Sequence, residues 1–364
     1  MPGKFERRKF KDCSLNDVFF ASLKNDYPEF EEWFAKKAKS EAEAFVFEDN
    51  AGISAFIYIK EDDCEEIKLK NSILPKMNRI KIGTLKLADR QQGQRLGEGA
   101  IGIALWRWQE IDVDEIYLTV YNTHTDLISL IERYGFVCKG ELYKSQYIEN
   151  KKELVYVKSK RHLNYITPQV AFPYLNPNFN GAGMLPIFDY FHDRLLPYSE
   201  LKNTQQEFWD EAAGNGITKV FIGSPTNVEG LHTGDPIFLY RIYTGQDKGK
   251  TYKSCITSFG TITNIFIVKS GRIPHISFEE FKRKCGNKTI FSIKELEKAY
   301  KKDNLVIFEF VYNGFFGKGN NISHYMLEQR GLFNDYPYKI RYTKEEFFKI
   351  IELGGKNVQN IIIN

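Results

Sequence analysis

Residues 94–105 read QRLGEGAIGIAL. Gly97, Gly99 and Gly102 fall within six residues, and the stretch runs straight into an apolar helical pattern. The first N–H groups of a helix have no acceptor inside it, and the helix dipole places partial positive charge there. Glycines let a ligand approach those groups, so this helix mouth suits a bound anion. With no ligand, the same glycines would make only a tight strand-to-helix turn. The flanking residues have to decide between the two.

Working outward, the stretch "RIKIGTLKLA" before the turn reads as a strand, as does "SAFIYIK" further upstream. Phe30 to Phe45 is rich in helix formers. After the turn, "GEGAIGIALWRWQE" reads as a helix, "EIYLTVY" as a strand and "HTDLISLIERYGF" as a helix stopped by Gly135. "ELYKSQYI" and "ELVYVKS" read as a closing pair of strands. Residues 1–160 are therefore expected to form an α/β domain with a mixed sheet.

The turn matches Gln/Arg-x-x-Gly-x-Gly/Ala on Gln94, Gly97 and Gly99. Asn122 follows the next strand directly, and Ile131 to Phe136, "IERYGF", closes the next helix. In this order and spacing the residues resemble the GCN5-related N-acetyltransferases (GNAT), over roughly residues 1–160. A Rossmann unit is set aside because its acidic residue would follow the glycines by about 20 residues. Here the acidic residues Glu110 to Glu115 fall in a helix-to-strand loop.

The resemblance implies that acetyl-CoA is the cofactor and its pyrophosphate the anion. Backbone from Gln94 and Arg95 through Leu96, Gly97, Glu98 and Gly99 to Ala100 would cradle it. The strand at Leu85 and Leu87 would pair with the pantetheine arm, and Asn122 would lie nearby. Glu98 places negative charge at this mouth, so it is expected to point outward, offset by Arg95. The family often carries a tyrosine four residues before the glycine of Gly-Phe, which protonates the leaving thiolate. This sequence has Ile131 there. Tyr134 and, on the following strand, Tyr143 or Tyr147 are the substitutes, so Asn122, Tyr134 and Tyr143 are the candidate catalytic residues. His124 and Asp126 read as helix-start residues. Trp106 and Trp108, two apart on one helix, read as packing residues.

Residues 161–185 hold prolines, glycines and asparagines without a clear period and read as a linker. Residues 186–364 alternate strands and helices. Gly234-Asp235 before an apolar strand, followed by "CITSFGTI", resembles PUA-like barrels of the ASCH and EVE type. The fold class expected is thus α/β plus α+β: a GNAT-like mixed sheet flanked by helices, then a PUA-like β-barrel with helical insertions.

The net charge of +4 is unevenly spread, and residues 241–302 hold 14 basic against 5 acidic side chains. With Tyr240, Tyr243, Tyr252 and Phe259 interleaved, Arg241, Lys248, Lys250 and Lys253 are candidate RNA-binding residues. The acceptor would then be an amine carried on RNA, such as an aminoacyl-tRNA, or on an RNA-associated protein. An α-amine, with a pKa near neutrality, would need less help from a base than a lysine. The alternative is a non-catalytic protein that binds acetyl-CoA and RNA for regulation. Five scattered cysteines without a Cys-x-x-Cys pair argue against a disulfide framework or a metal site and fit a cytoplasmic protein. No apolar run reaches membrane-spanning length. A homodimer is compatible with the sequence.

Overall fold

The computed structural model describes residues 4–91, 93–143, 151–202, 211–226, 228–246 and 249–363. The chain forms two compact units, 1–163 and 164–364.

The first unit is built on seven strands: β1 (Glu6–Lys9), β2 (Glu43–Asp49), β3 (Gly52–Asp63), β4 (Arg79–Leu87), β5 (Glu115–Tyr121), β6 (Val137–Glu141) and β7 (Glu153–Ser159). Their order in the sheet is β1-β2-β3-β4-β5-β7-β6. Every neighbouring pair is antiparallel except β4 and β5, which run parallel. The helices are α1 (Ala21–Asp26), α2 (Phe30–Lys39), α3 (Leu96–Glu110) and α4 (Thr125–Arg133). Phe20, Phe30 and Phe34 from the α1–α2 region pack with Phe56 and Tyr58 of β3. Helix α3 is buried along most of its length, and Trp108 within it donates its indole N–H to the Val113 carbonyl at 3.0 Å. That satisfies the one polar atom of a fully buried ring.

Two differences from the sequence reading have local causes. The helix expected to reach Phe45 stops at Lys39, because Glu41 adopts a left-handed φ of 56° and β2 begins at Glu43. The first closing strand is Val137–Glu141, ahead of the "ELYKSQYI" segment, most of which lies outside the described residues. Helix α4 ends as expected. Gly135 has a φ of 81°, its N–H bonds the Glu132 carbonyl, and the Phe136 N–H bonds the Ile131 carbonyl.

The second unit holds a mixed sheet of six main strands: β8 (Ala182–Phe188), β9 (Thr218–Gly223), β10 (Pro236–Ile242), β11 (Cys255–Ser270), β12 (Leu305–Phe315) and β13 (Arg341–Tyr342), in the order β9-β12-β11-β10-β8-β13. Two-residue strands at Ile273–Pro274 and Ile322–Ser323 also pair with β11. The helices include α5 (Asp189–Leu195), α6 (Phe278–Cys285), α7 (Ile293–Tyr300), α8 (His324–Gln329) and α9 (Lys344–Leu353). The Gly234-Asp235 turn leads into β10 and is bonded to β11: the Gly234 N–H reaches the Ile262 carbonyl and the Ile262 N–H the Asp235 carbonyl. The closed barrel is not found: among the described residues no pairing joins β9 to β13. Three register irregularities between β11 and β12 curl the sheet, since each extra residue bends its strand.

Candidate functional site

The parallel ladder between β4 and β5 is short. It runs from Arg79 opposite Glu115 to Ile82 opposite Leu118 and ends there, while β4 continues to Leu87 and β5 to Tyr121. At the point of divergence β4 carries a bulge. Tyr58 of β3 pairs with Thr84 and Ile59 with Ile82, leaving Gly83 as the extra residue. A Cβ at Gly83 would stand 3.0 Å from the Tyr58 ring, so the bulge suits a glycine. Beyond it the strands splay apart, and backbone groups of β4 on that side have no ladder partner in β5.

The splay opens a cleft of about 1470 Å³. Leu85, Leu87, Gly97 and Leu130 line one part of it, and Thr123, His124, Thr125 and Asp126 bring in the start of α4. Another part is aromatic and charged, with Tyr27, Trp33, Tyr58, Lys60, Asp63, Lys81 and Tyr121. Tyr27 and Tyr121 stack at 6.0 Å between ring centroids. Burial pushes the Tyr121 phenol above its ordinary pKa. The Tyr58 hydroxyl accepts from Lys37 Nζ at 2.7 Å. Burial also lowers the pKa of Lys86, whose ammonium bonds the Ser22 hydroxyl and lies 5.4 Å from the Phe19 ring.

The glycine turn lies at this cleft. Arg95 is the N-cap of α3, in the left-handed region at φ 58°, and its side chain makes no capping bond. Glu98 does not point outward as expected. It is buried, and Arg95 grips it with Nε on Oε2 at 2.9 Å and Nη2 on Oε1 at 2.8 Å. Arg95 does offset its charge. A Cβ on Gly97 would stand 3.1 Å from both Leu87 Cδ1 and Leu130 Cδ2. A short loop brings the turn here: Arg90 donates to Asp49 at 3.0 and 3.1 Å and to the Ile53 carbonyl at 2.9 Å.

The structure separates the sequence candidates. Leu85, Leu87 and Gly97 line the cleft. Gln94 sits in the turn, where its backbone N–H bonds the Gln91 carbonyl at 3.2 Å. Leu96, Gly99 and Ala100 are buried in the first turns of α3. None of the three catalytic candidates lines the cleft. Asn122 uses its side-chain oxygen to accept the Lys152 backbone N–H at 2.9 Å. Tyr134 is 1% exposed, and its hydroxyl donates to Glu98 Oε1 at 2.6 Å. Tyr143 is exposed at the edge of the described residues, and Tyr147 lies outside them. His124 holds the N-cap position of α4 without a capping bond and, with Asp126, faces the cleft. Sequence reading missed Tyr27, Tyr58 and Tyr121. They look like ordinary packing aromatics along the chain, and only the splay of β4 from β5 gathers them.

In the second unit several of the basic side chains have carboxylate or aromatic partners within the fold. Arg241 is buried, and its guanidinium binds Asp193 in a bidentate pair at 2.8 and 2.9 Å. That arrangement removes it as a phosphate contact, because its Nε–Nη2 edge binds Asp193 and its Nη1 donates to the Lys253 carbonyl at 3.3 Å, all inside the fold. Lys253 Nζ lies 4.6 Å from the Tyr243 ring centroid. Lys250 begins a one-turn helix, its side chain lying beyond what is described, and Lys248 lies outside the described residues. Arg272 pairs with Asp303, Lys282 with Glu279, and Lys288 with Glu309. Tyr240 and Phe259 are core residues, whereas Tyr252 is exposed and packs on Tyr325 at 5.5 Å. Among the described residues no cluster of histidine, cysteine or carboxylate side chains could hold a metal ion, and no helix is long and apolar enough to cross a membrane.

No family model matches the chain, and no curated protein matches it. Solved structures similar to its N-terminal part are GNAT acetyltransferases. An acetyltransferase of the GNAT family from Streptococcus pneumoniae is 16% identical over 43% of this chain and 99% of its own, with a TM-score of 0.32. NAA60 from Arabidopsis thaliana, solved in complex with acetyl-CoA, is 16% identical over 44% of this chain and 100% of its own, with a TM-score of 0.32. Nourseothricin acetyltransferase is 18% identical over 32% of this chain, with a TM-score of 0.25, and the match spans 64% of its length.

Proposed function

We propose that the first unit binds acetyl-CoA and transfers its acetyl group to an amine. One observation carries this reading: the ladder between β4 and β5 opens at the Gly83 bulge, and the glycine turn at the start of α3 lies at that opening. A splayed strand offers amide groups to an extended, amide-bearing arm, and a helix mouth offers N–H groups to a pyrophosphate. Acetyl-CoA carries both features, on a thioester that an amine can open.

In the reaction the amine nitrogen bonds the acetyl carbonyl carbon, the carbon–sulfur bond breaks, and a proton passes from the amine to solvent while the thiolate gains one. In this reading backbone N–H groups of β4 beside Gly83 stabilise the oxyanion. Of the phenols lining the cleft, Tyr121 ends β5 on the side where it parts from β4, and a phenol is protonated at neutral pH, so it is our donor to the leaving thiolate. A cytoplasmic setting is supported by the five free thiols.

In the narrower reading the acceptor amine rides on RNA, an aminoacyl-tRNA or an RNA-bound protein, held by the second unit. Its support is the exposed Tyr252–Tyr325 pair, with Lys253 on the same one-turn helix as Tyr252. The regulatory alternative keeps both ligands and lacks turnover. Calorimetry with coenzyme A and thiol release from acetyl-CoA, with amines, peptides and charged tRNAs as acceptors, test these readings. A folded protein that binds no coenzyme A at millimolar ligand refutes the first. Binding without thiol release leaves the regulatory reading. RNA affinity that ignores salt refutes the RNA-borne acceptor.

A further inference from the structure

We infer that Arg95, Glu98 and Tyr134 form a positioning lock that holds the mouth of α3 in the geometry its anion requires. This inference rests on the proposed acetyl-CoA site. Arg95 adopts a left-handed φ of 58°, a conformation that costs energy for a residue with a side chain. Most helices would place a serine, threonine or aspartate here to accept an N–H of the first turn. Arg95 makes no such capping bond. Instead its guanidinium clasps Glu98 one turn later through both carboxylate oxygens, at 2.8 and 2.9 Å.

The clasp is tied to the next helix. The Tyr134 hydroxyl, at the C-cap of α4, donates to Glu98 Oε1 at 2.6 Å. Lys158 Nζ, from β7, donates to the Tyr134 carbonyl at 2.6 Å. Tyr134 is 1% exposed and the Arg95 and Glu98 side chains 9% and 10%, so solvent screens these bonds little. Two consequences follow. The Glu98 charge is neutralised within the protein and does not repel a bound phosphate. The first turn of α3 is also tied to the end of α4, which Lys158 of β7 holds in turn, while Gly97 remains on the cleft. Tyr134 is a positioning residue, and its hydroxyl is committed to a carboxylate rather than to a leaving group.

The test compares wild type with Tyr134→Phe and Glu98→Gln, titrated by calorimetry with coenzyme A and separately with pantetheine, which lacks the pyrophosphate. Tyr156→Phe is the control, since its hydroxyl donates to Glu132 at 3.0 Å, outside the lock. We expect coenzyme A to bind Tyr134→Phe about tenfold more weakly, the size of part of one charge-assisted hydrogen bond. Pantetheine should bind Tyr134→Phe as it binds wild type, and Tyr156→Phe should bind coenzyme A unchanged. Glu98→Gln should also weaken coenzyme A. Simple charge repulsion predicts the opposite sign for it. Unchanged affinity in Tyr134→Phe, equal loss of both ligands, or a hundredfold fall in kcat with affinity intact would each overturn the lock. Failure of the wild type itself to bind coenzyme A would instead overturn the acetyl-CoA site.

Discussion

Replacing Gly97 by valine tests the anion cradle most directly. A Cβ at position 97 meets Leu87 Cδ1 and Leu130 Cδ2 at 3.1 Å, both at the ends of side chains that line the cleft. Alanine can be accommodated if these methyls give by a few tenths of an ångström. Removing a helical glycine returns up to about 1 kcal/mol of backbone entropy, so Gly97→Ala should leave stability within about 1 kcal/mol of wild type. Valine adds two further methyls on the cleft side, where a phosphate would approach the backbone. Losing one or two charge-assisted N–H bonds to that phosphate removes about 3 kcal/mol, or roughly a hundredfold in affinity. Calorimetry with coenzyme A reads the affinity, and thermal unfolding followed by circular dichroism reads the fold. A folded Gly97→Val protein that binds coenzyme A as tightly as wild type would show that the anion is held elsewhere.

The bidentate pair in the second unit sets two further expectations. Arg241→Ala leaves Asp193 and Asp189 without their cation inside the fold and should destabilise by about 3–5 kcal/mol, seen as a lower midpoint in urea. Burial alone would raise the Asp193 pKa, but hydrogen bonds from Arg241 and His192 outweigh it and hold it at about 2. A depressed carboxyl contributes stability above its unfolded value that is lost as the pH falls. The second unit should therefore weaken between about pH 4 and pH 2, and this loss should be absent in Asp193→Asn. Trp108→Phe removes a buried ring edge and its bond to Val113, and should cost about 2–3 kcal/mol in chemical denaturation without changing the cleft residues.

Much of the first unit was legible from local pattern. The glycine turn, the strands on either side of it and the stop at Gly135 each depend on a few consecutive residues, and each is found where the pattern places it. Elements with weaker local signals moved. Strand β6 falls on "VCKGE", whose mixed, mostly exposed residues give little alternation to read, and its place is set by pairing with β7. The second unit reads along the chain as a barrel and folds as an open curled sheet, because strand pattern alone does not tell whether the first and last strands meet.

For the site, residue order along the chain determined the helix mouth and its glycines, since backbone access is a property of a short segment. What it could not assign was the direction of polar side chains. Glu98 reads as an awkward surface charge and Tyr134 as a spare catalytic phenol. In the fold they bond each other 36 positions apart, with Arg95 completing the clasp. Arg241 reads as a phosphate contact and is a buried partner of Asp193, 48 positions away. Tyr27, Tyr58 and Tyr121 reach one cleft only because two parallel strands part at a single bulged glycine. Hydrogen-bond partners and cavity walls are long-range properties, set by which elements pack together, and tertiary structure alone decided them.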